Sequence, residues 1–114
     1  SEHDAFWREY YGYEADLKKI FDERYNIIRD YATNYDNMNN DIADNLAVRS
    51  LNVRDERNDL FRKYYNRIKK ATNAIIAGQF LQIENELNLL SDLKISTETP
   101  ILPREVNPTD VVKK

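Results

Sequence analysis

Five carboxylates recur at intervals of seven along the first third of the chain: Glu2, Glu9, Asp16, Glu23 and Asp30. On a helix that spacing separates neighbours by about 10.5 Å along the axis, too far for two of them to share one metal ion. Di-iron bundles also need a Glu-x-x-His motif on facing helices, and the single histidine, His3, stands alone near the N-terminus. The absence of cysteine removes thiolate nucleophiles and Cys-based zinc or iron–sulfur sites. Two glycines are too few for a phosphate-cradling loop or a dinucleotide fingerprint. The residues therefore predict no metal, no cofactor and no catalytic set, and point to a protein that works by binding.

Charge is where the sequence speaks next. Residues 49–70 hold eight basic side chains against Asp55, Glu56 and Asp59, a net +5, whereas residues 1–48 hold eleven acids against five bases, a net −6. A basic segment interleaved with Phe61, Tyr64 and Tyr65 could stack on bases, but a sequence pI of 5.2 opposes nucleic acid as the partner. The segment instead suggests a basic and aromatic surface for protein clients or a protein partner, with Arg54, Arg62, Lys63, Tyr65 and Lys69 as the candidate contacts. Arg24 and Arg57 interrupt apolar stripes, and an interior charge is tolerated only when paired. A structural polar layer is expected there, with Glu84 and Asp22 as the candidate carboxylates.

Those side chains need long helices to hold them. Phe6, Tyr10, Tyr13, Leu17, Ile20, Ile27 and Tyr31 make one stripe, predicting an amphipathic helix over 4–35, supported by Asp4–Arg8 and Glu14–Lys18 pairs. Asn39 or Asn40 can cap a second helix over 40–71, whose stripe is Ile42, Leu46, Val53, Leu60, Tyr64, Ile68 and Ala71 and whose pattern loosens near Arg49–Asn52, where a kink or a register shift is expected. Thr72-Asn73 reads as a break and a new cap. A third helix over 74–95 then carries Ile76, Phe80, Ile83, Leu87 and Leu90 inward, and Gly78 within it suggests a close approach or a fraying first turn. Three prolines between 100 and 108 predict an extended tail over 97–114, polyproline-like in part. The expected fold is all-α, a single domain over 1–96 formed as an antiparallel long-helix hairpin or three-helix layer. Its apolar surface suggests a homodimer. No stretch is long and apolar enough to span a membrane.

Three stretches carry a resemblance. They are Phe6-Trp7 with Tyr10 and Tyr13 and then Asp22-x-Arg24, Asp30-Tyr31-Ala32-x-Asn34-Tyr35-Asp36 running into Met38, and Arg62-Lys63-Tyr64-Tyr65 followed by Phe80-Leu81-Gln82-Ile83-Glu84-Asn85-x-Leu87, with Asp92-Leu93 and Pro100-Ile101 beyond. Together they resemble a family of small exported helical proteins of Gram-negative bacteria, distantly similar to the Spy and CpxP group of periplasmic proteins. The resemblance implies a helical, dimeric periplasmic protein whose signal peptide has been removed, acting as a holdase-type chaperone or envelope-stress adaptor. The group's Leu-Thr-x-x-Gln motif is absent, with Met38-Asn39-Asn40-Asp41-Ile42 standing at the expected place. A module that docks one specific folded partner is the alternative.

Overall fold

The computed structural model describes residues 1–103 as three α-helices and no strands: α1 (Glu2–Asn34), α2 (Asn40–Ala71) and α3 (Ala74–Glu98), with a short 3₁₀ turn (Tyr35–Asn37) between the first two. Each helix begins where a short polar side chain takes the place of a missing backbone acceptor. Ser1 Oγ accepts from the Asp4 amide at 3.4 Å, Asn39 Oδ1 from Ile42 at 2.9 Å, and Asn73 Oδ1 from Ile76 at 2.9 Å. Asn39 is therefore the cap of α2, and Thr72-Asn73 separates two distinct helices rather than bending one.

Contacts along the chain fix the directions. Glu9 meets Arg67 and Asp30 meets Arg49, so α1 and α2 run antiparallel; Tyr13 meets Glu84 and Arg24 meets Asp92, so α3 returns parallel to α1. The fold is up–down–up. Its core is a line of side chains from Tyr13, Ile20 and Ile27 of α1 through Leu46, Val53, Leu60, Phe61, Tyr64 and Ile68 of α2 to Ala77 and Phe80 of α3. Gly12 lets this core close: a Cβ there would lie 3.0 Å from Tyr64 Oη.

Several expectations change. Helix α2 is assigned continuously through Arg49–Asn52, where Arg49 reaches across to Glu23 and Asp30 of α1. Lys18 pairs with Asp22 at 3.0 Å, not with Glu14. Gly78 has nothing within 4 Å of its missing Cβ, so no close approach explains it. Ala71 is exposed rather than inward. Helix α3 runs to Glu98, past the expected end at residue 95. Thr97 and Glu98 are not helix breakers; only Thr99, immediately before Pro100, is driven to extended backbone, with φ −104° and ψ 120°. The chain then folds back on α1, where Tyr31 Oη donates to the Pro100 carbonyl at 2.6 Å and Tyr35 Oη to that of Ile101 at 3.3 Å. The rest of the expected extended tail, 104–114, lies outside the described residues.

Candidate protein-docking surface

The largest departure from expectation is the orientation of α3. Its buried face is Ala77, Phe80, Glu84 and Asn88, continued by half-buried Asp92 and Ile95. Ile83, Leu87 and Leu90, expected inward, are each more than half exposed, and so are Ile75, Leu89 and Leu93. A helix turns by about 100° per residue, so 84, 88 and 92 share one face and 83, 87 and 90 share another. Past Phe80, over residues 83–93, the helix therefore points polar side chains at the bundle and aliphatic ones at solvent.

The inward polar face is fully wired to the other helices. Glu84, 5% exposed, accepts from Tyr10 Oη at 2.9 Å and Tyr13 Oη at 3.0 Å, and the buried Asn88 amide donates to the Glu84 carbonyl at 2.7 Å. Burial, together with the hydrogen bond to Glu84 and its charge, pushes the Tyr10 hydroxyl up to about 12 and raises that of Tyr13 further. One turn beyond Asn88, Asp92 takes both arginines: Arg57 in a two-pronged pair at 3.0 Å and Arg24 at 2.7 Å. Burial works against ionisation of Asp92, but the hydrogen bonds and charges of Arg57 and Arg24 outweigh it and hold the carboxyl below its usual range. The arginines of the expected polar layer thus converge on Asp92, which sequence reasoning missed. Glu84 is buried but serves tyrosines, and Asp22 lies exposed against Lys18. The signal that could have found this set is Glu84, Asn88 and Asp92 themselves, polar residues four apart on one helix.

The acidic ridge of α1 has an equally definite use. Glu9 pairs with Arg67 at 2.6 Å, Asp16 with Lys63 at 3.3 Å, and Glu23 and Asp30 both with Arg49 at 2.8 Å. Hydrogen bonds donated to these carboxylates are the main cause that raises the Arg49 and Arg67 guanidiniums. Tyr64 donates to Asp16 at 2.9 Å; burial and that bond push its hydroxyl up to about 12, while the same bond and Lys63 lower Asp16 against the opposing effect of burial. Among the described residues, no group of three or more histidine, aspartate and glutamate side chains is arranged to hold a metal ion. No described helix is long and apolar enough to cross a membrane.

The five candidate contacts of α2 do not form one face. Lys63 lies on the α1 side, in the charge zipper and 5.3 Å from the Tyr64 ring centroid. Arg62 and Tyr65 line the opposite, α3-facing shoulder in a shallow groove with Leu81 and Asn85, and Lys69 stacks over the Tyr65 ring at 5.4 Å. Arg54 stands further along the same shoulder, at a separate cavity. Phe61 and Tyr64, the other interleaved aromatics, are core residues.

On the other flank, α1 exposes Phe21 and Tyr25. Phe21 lies between the level where Tyr13 meets Glu84 and the level where Arg24 meets Asp92, the stretch of α3 that carries Leu87 and Leu90, and Tyr25 stands one residue past Arg24. Nearer the N-terminus of α1, Phe6, Trp7, Tyr10 and Tyr11 form a chain of ring contacts at 5.2–6.0 Å between centroids. Compared with protein-family models, curated proteins and solved structures, the chain matches none.

Proposed function

We propose that this chain is a non-enzymatic protein-binding module of the exported, holdase or envelope-stress-adaptor kind, which covers apolar segments of unfolded clients in the periplasm. The observation that carries the reading is the outward aliphatic face of α3, where six isoleucine and leucine side chains are more than half exposed although polar residues occupy the inner face. A stable monomer gains nothing from that arrangement, and exposed apolar patches of this extent mark interaction surfaces. The face is aliphatic and spread along the helix, without the enclosed aromatic anchor that a specific interface centres on. That breadth suits varied extended segments better than one matched partner. Arg62 and Lys69, on the neighbouring shoulder, supply positive charge that draws acidic clients without being spent on the bundle.

The test is light scattering of a chemically denatured protein diluted into buffer with and without this chain. The expected result is stoichiometric suppression of aggregation, lost in Leu87→Glu/Leu90→Glu and weakened by Arg62→Glu/Lys69→Glu or by salt. Lys63 is left alone because its substitution would disturb the pair with Asp16. Absence of suppression at every ratio overturns the holdase reading. Unchanged suppression by a Leu87→Glu/Leu90→Glu variant that has lost a wild-type dimer would assign the α3 face to self-association instead.

One observation favours a second reading. The Phe6–Trp7–Tyr10–Tyr11 cluster is compact and aromatic, the composition of an anchor for one folded partner. Loss of a specific complex in Trp7→Ala, with aggregation suppression intact, would support an adaptor working through that end of α1.

A further inference from the structure

Helices α1 and α3 run parallel but do not close on each other. Among the described residues no Cα of one comes within 8 Å of a Cα of the other, whereas each packs directly against α2. Long side chains bridge the seam instead, Tyr10 and Tyr13 to Glu84 at one level and Arg24 to Asp92 at another. Both edges of the seam are apolar. On α1, Phe21, Tyr25 and Ile28 lie on the side away from the zipper carboxylates Asp16, Glu23 and Asp30. On α3, Ile83, Leu87 and Leu90 lie on the side away from Leu81 and Asn85, which face α2. All six are more than a third exposed. At roughly 200 Å² for a large side chain they leave about 600 Å² of apolar surface open. With the polar side chains that border it, the face approaches the roughly 800 Å² that each partner gives to a standard-size interface.

The bordering charges run head to tail. Glu14 and Glu86 are exposed toward the Tyr13–Glu84 level, Arg29 and Lys94 toward and past the Arg24–Asp92 level. Lys18 and Asp22, between them, pair with each other, and Glu98 lies beyond the patch. Asp30, the carboxylate beside Arg29, is engaged by Arg49 at 2.8 Å. Midway between Glu14 and Arg29 stands Phe21; midway between Glu86 and Lys94 stands Leu90. The spacing of the two bridged levels puts Phe21 abreast of Leu90. A two-fold axis through this pair, perpendicular to the helices and in the plane of the face, therefore sets each acidic end on a basic end of a second copy. In that pairing α1 lies antiparallel on α1 and α3 on α3, so that Leu87 of one copy meets Leu93 of the other and Leu90 meets Leu90. A parallel pairing would instead put like charges together.

We infer that a second copy of this chain occupies the seam face, two-fold related and antiparallel, and that this dimer is the resting state from which clients displace one copy. The pairing follows from the face itself. The displacement rests on the client-binding reading, since the interface covers Ile83, Leu87, Leu90 and Leu93 of the aliphatic face of α3. Such a cover keeps the patch from indiscriminate association when no client is present, and its modest area keeps it reversible.

The chain has no cysteine, so Leu90→Cys carries a single thiol at the axis. Under copper-catalysed air oxidation it is expected to form a disulfide-linked dimer. Ile83→Cys, on the same edge but about 10 Å along the helix and thus about 20 Å from its own copy, is expected to stay unlinked. Sedimentation of the wild-type chain should show a concentration-dependent monomer–dimer equilibrium, weakened about tenfold or more in Leu87→Glu/Leu90→Glu. Linked Leu90→Cys is expected to lose aggregation suppression and to regain it on reduction. A wild-type chain monomeric at every concentration, or equal linking of the two cysteine variants, would overturn the dimer and leave the holdase reading to its own test. Full suppression by the linked dimer would overturn the displacement. Linking confined to Leu90→Cys, with no suppression by the reduced or wild-type chain, would support the second copy as occupant and remove the client reading.

Discussion

Glu84 is the residue around which the first half of the bundle is organised. A buried carboxylate is destabilising unless its oxygens are satisfied, and here two tyrosines from a different helix each give one hydroxyl to one oxygen. Tyr13 is completely buried, so water cannot take its place. Tyr13→Phe is therefore expected to destabilise the fold by about 1–2 kcal/mol, the cost of leaving a buried acceptor short of a donor. Tyr10→Phe should cost less, because Tyr10 is only half-buried. Urea unfolding of both variants checks the order. A double-mutant cycle of Tyr13→Phe with Glu84→Met should show strong coupling, the double variant costing less than the two single changes together. The expected polar layer was legible because Arg24 and Arg57 break otherwise apolar stripes. Its carboxylate was not, because Asp92 is exposed by every sequence criterion except its register with Glu84 and Asn88.

The helices themselves were readable from spacing and capping chemistry, and their limits moved by only a few residues at Glu2 and Glu98. The misreading of α3 has a physical cause. Stripe reading assumes that the aliphatic face of a helix is the buried face, which holds when the surface is made to meet water. In α3 the inner face is instead taken by Glu84, Asn88 and Asp92, whose partners lie on the other helices, and nothing in the periodicity distinguishes the two cases. The two glycines test how closely the elements are packed. Gly78 sits inside α3 beside open space, so Gly78→Ala is expected to stabilise by about 1 kcal/mol through helix propensity alone. The same change at Gly12 adds the same propensity but places a methyl 3.0 Å from Tyr64 Oη, which is itself tethered to Asp16. Gly12→Ala is therefore expected to fall short of Gly78→Ala by about 1 kcal/mol or more, because either α1 must retreat or the Tyr64 bond must lengthen. Thermal unfolding of the two variants reads the difference directly. Equal stabilisation would mean that α1 and α2 are looser than their contact at Gly12 implies.

At the scale of the molecule, α1 and α2 form a hairpin laced along its length by the charge zipper, and α3 is attached to it by a short apolar patch at Phe80 and a polar seam ending at Asp92. The two attachments respond differently to pH. Asp92 has its pKa lowered in the folded chain by Arg57 and Arg24, so the unfolded state binds its proton first as pH falls. Its contribution is fully present above the unfolded value of about 3.9 and is lost as pH drops through the lower folded value. Protonation leaves Arg24 and Arg57 without their common partner on α3. Asp16 is lowered in the same sense, but its loss falls on the α1–α2 zipper, where Arg67–Glu9 and the Arg49 pairs remain beside it. Acidification below about pH 4 is therefore expected to release the C-terminal half of α3 before the hairpin opens. Amide exchange across an acid series should show protection falling first over residues 88–98. Asp92→Asn should reproduce that pattern at neutral pH and flatten its acid dependence, whereas Asp16→Asn should leave α3 protected. Simultaneous loss of protection in all three helices would mean that α3 is held mainly by the apolar contacts at Phe80, with the arginine pair on Asp92 contributing little to its docking.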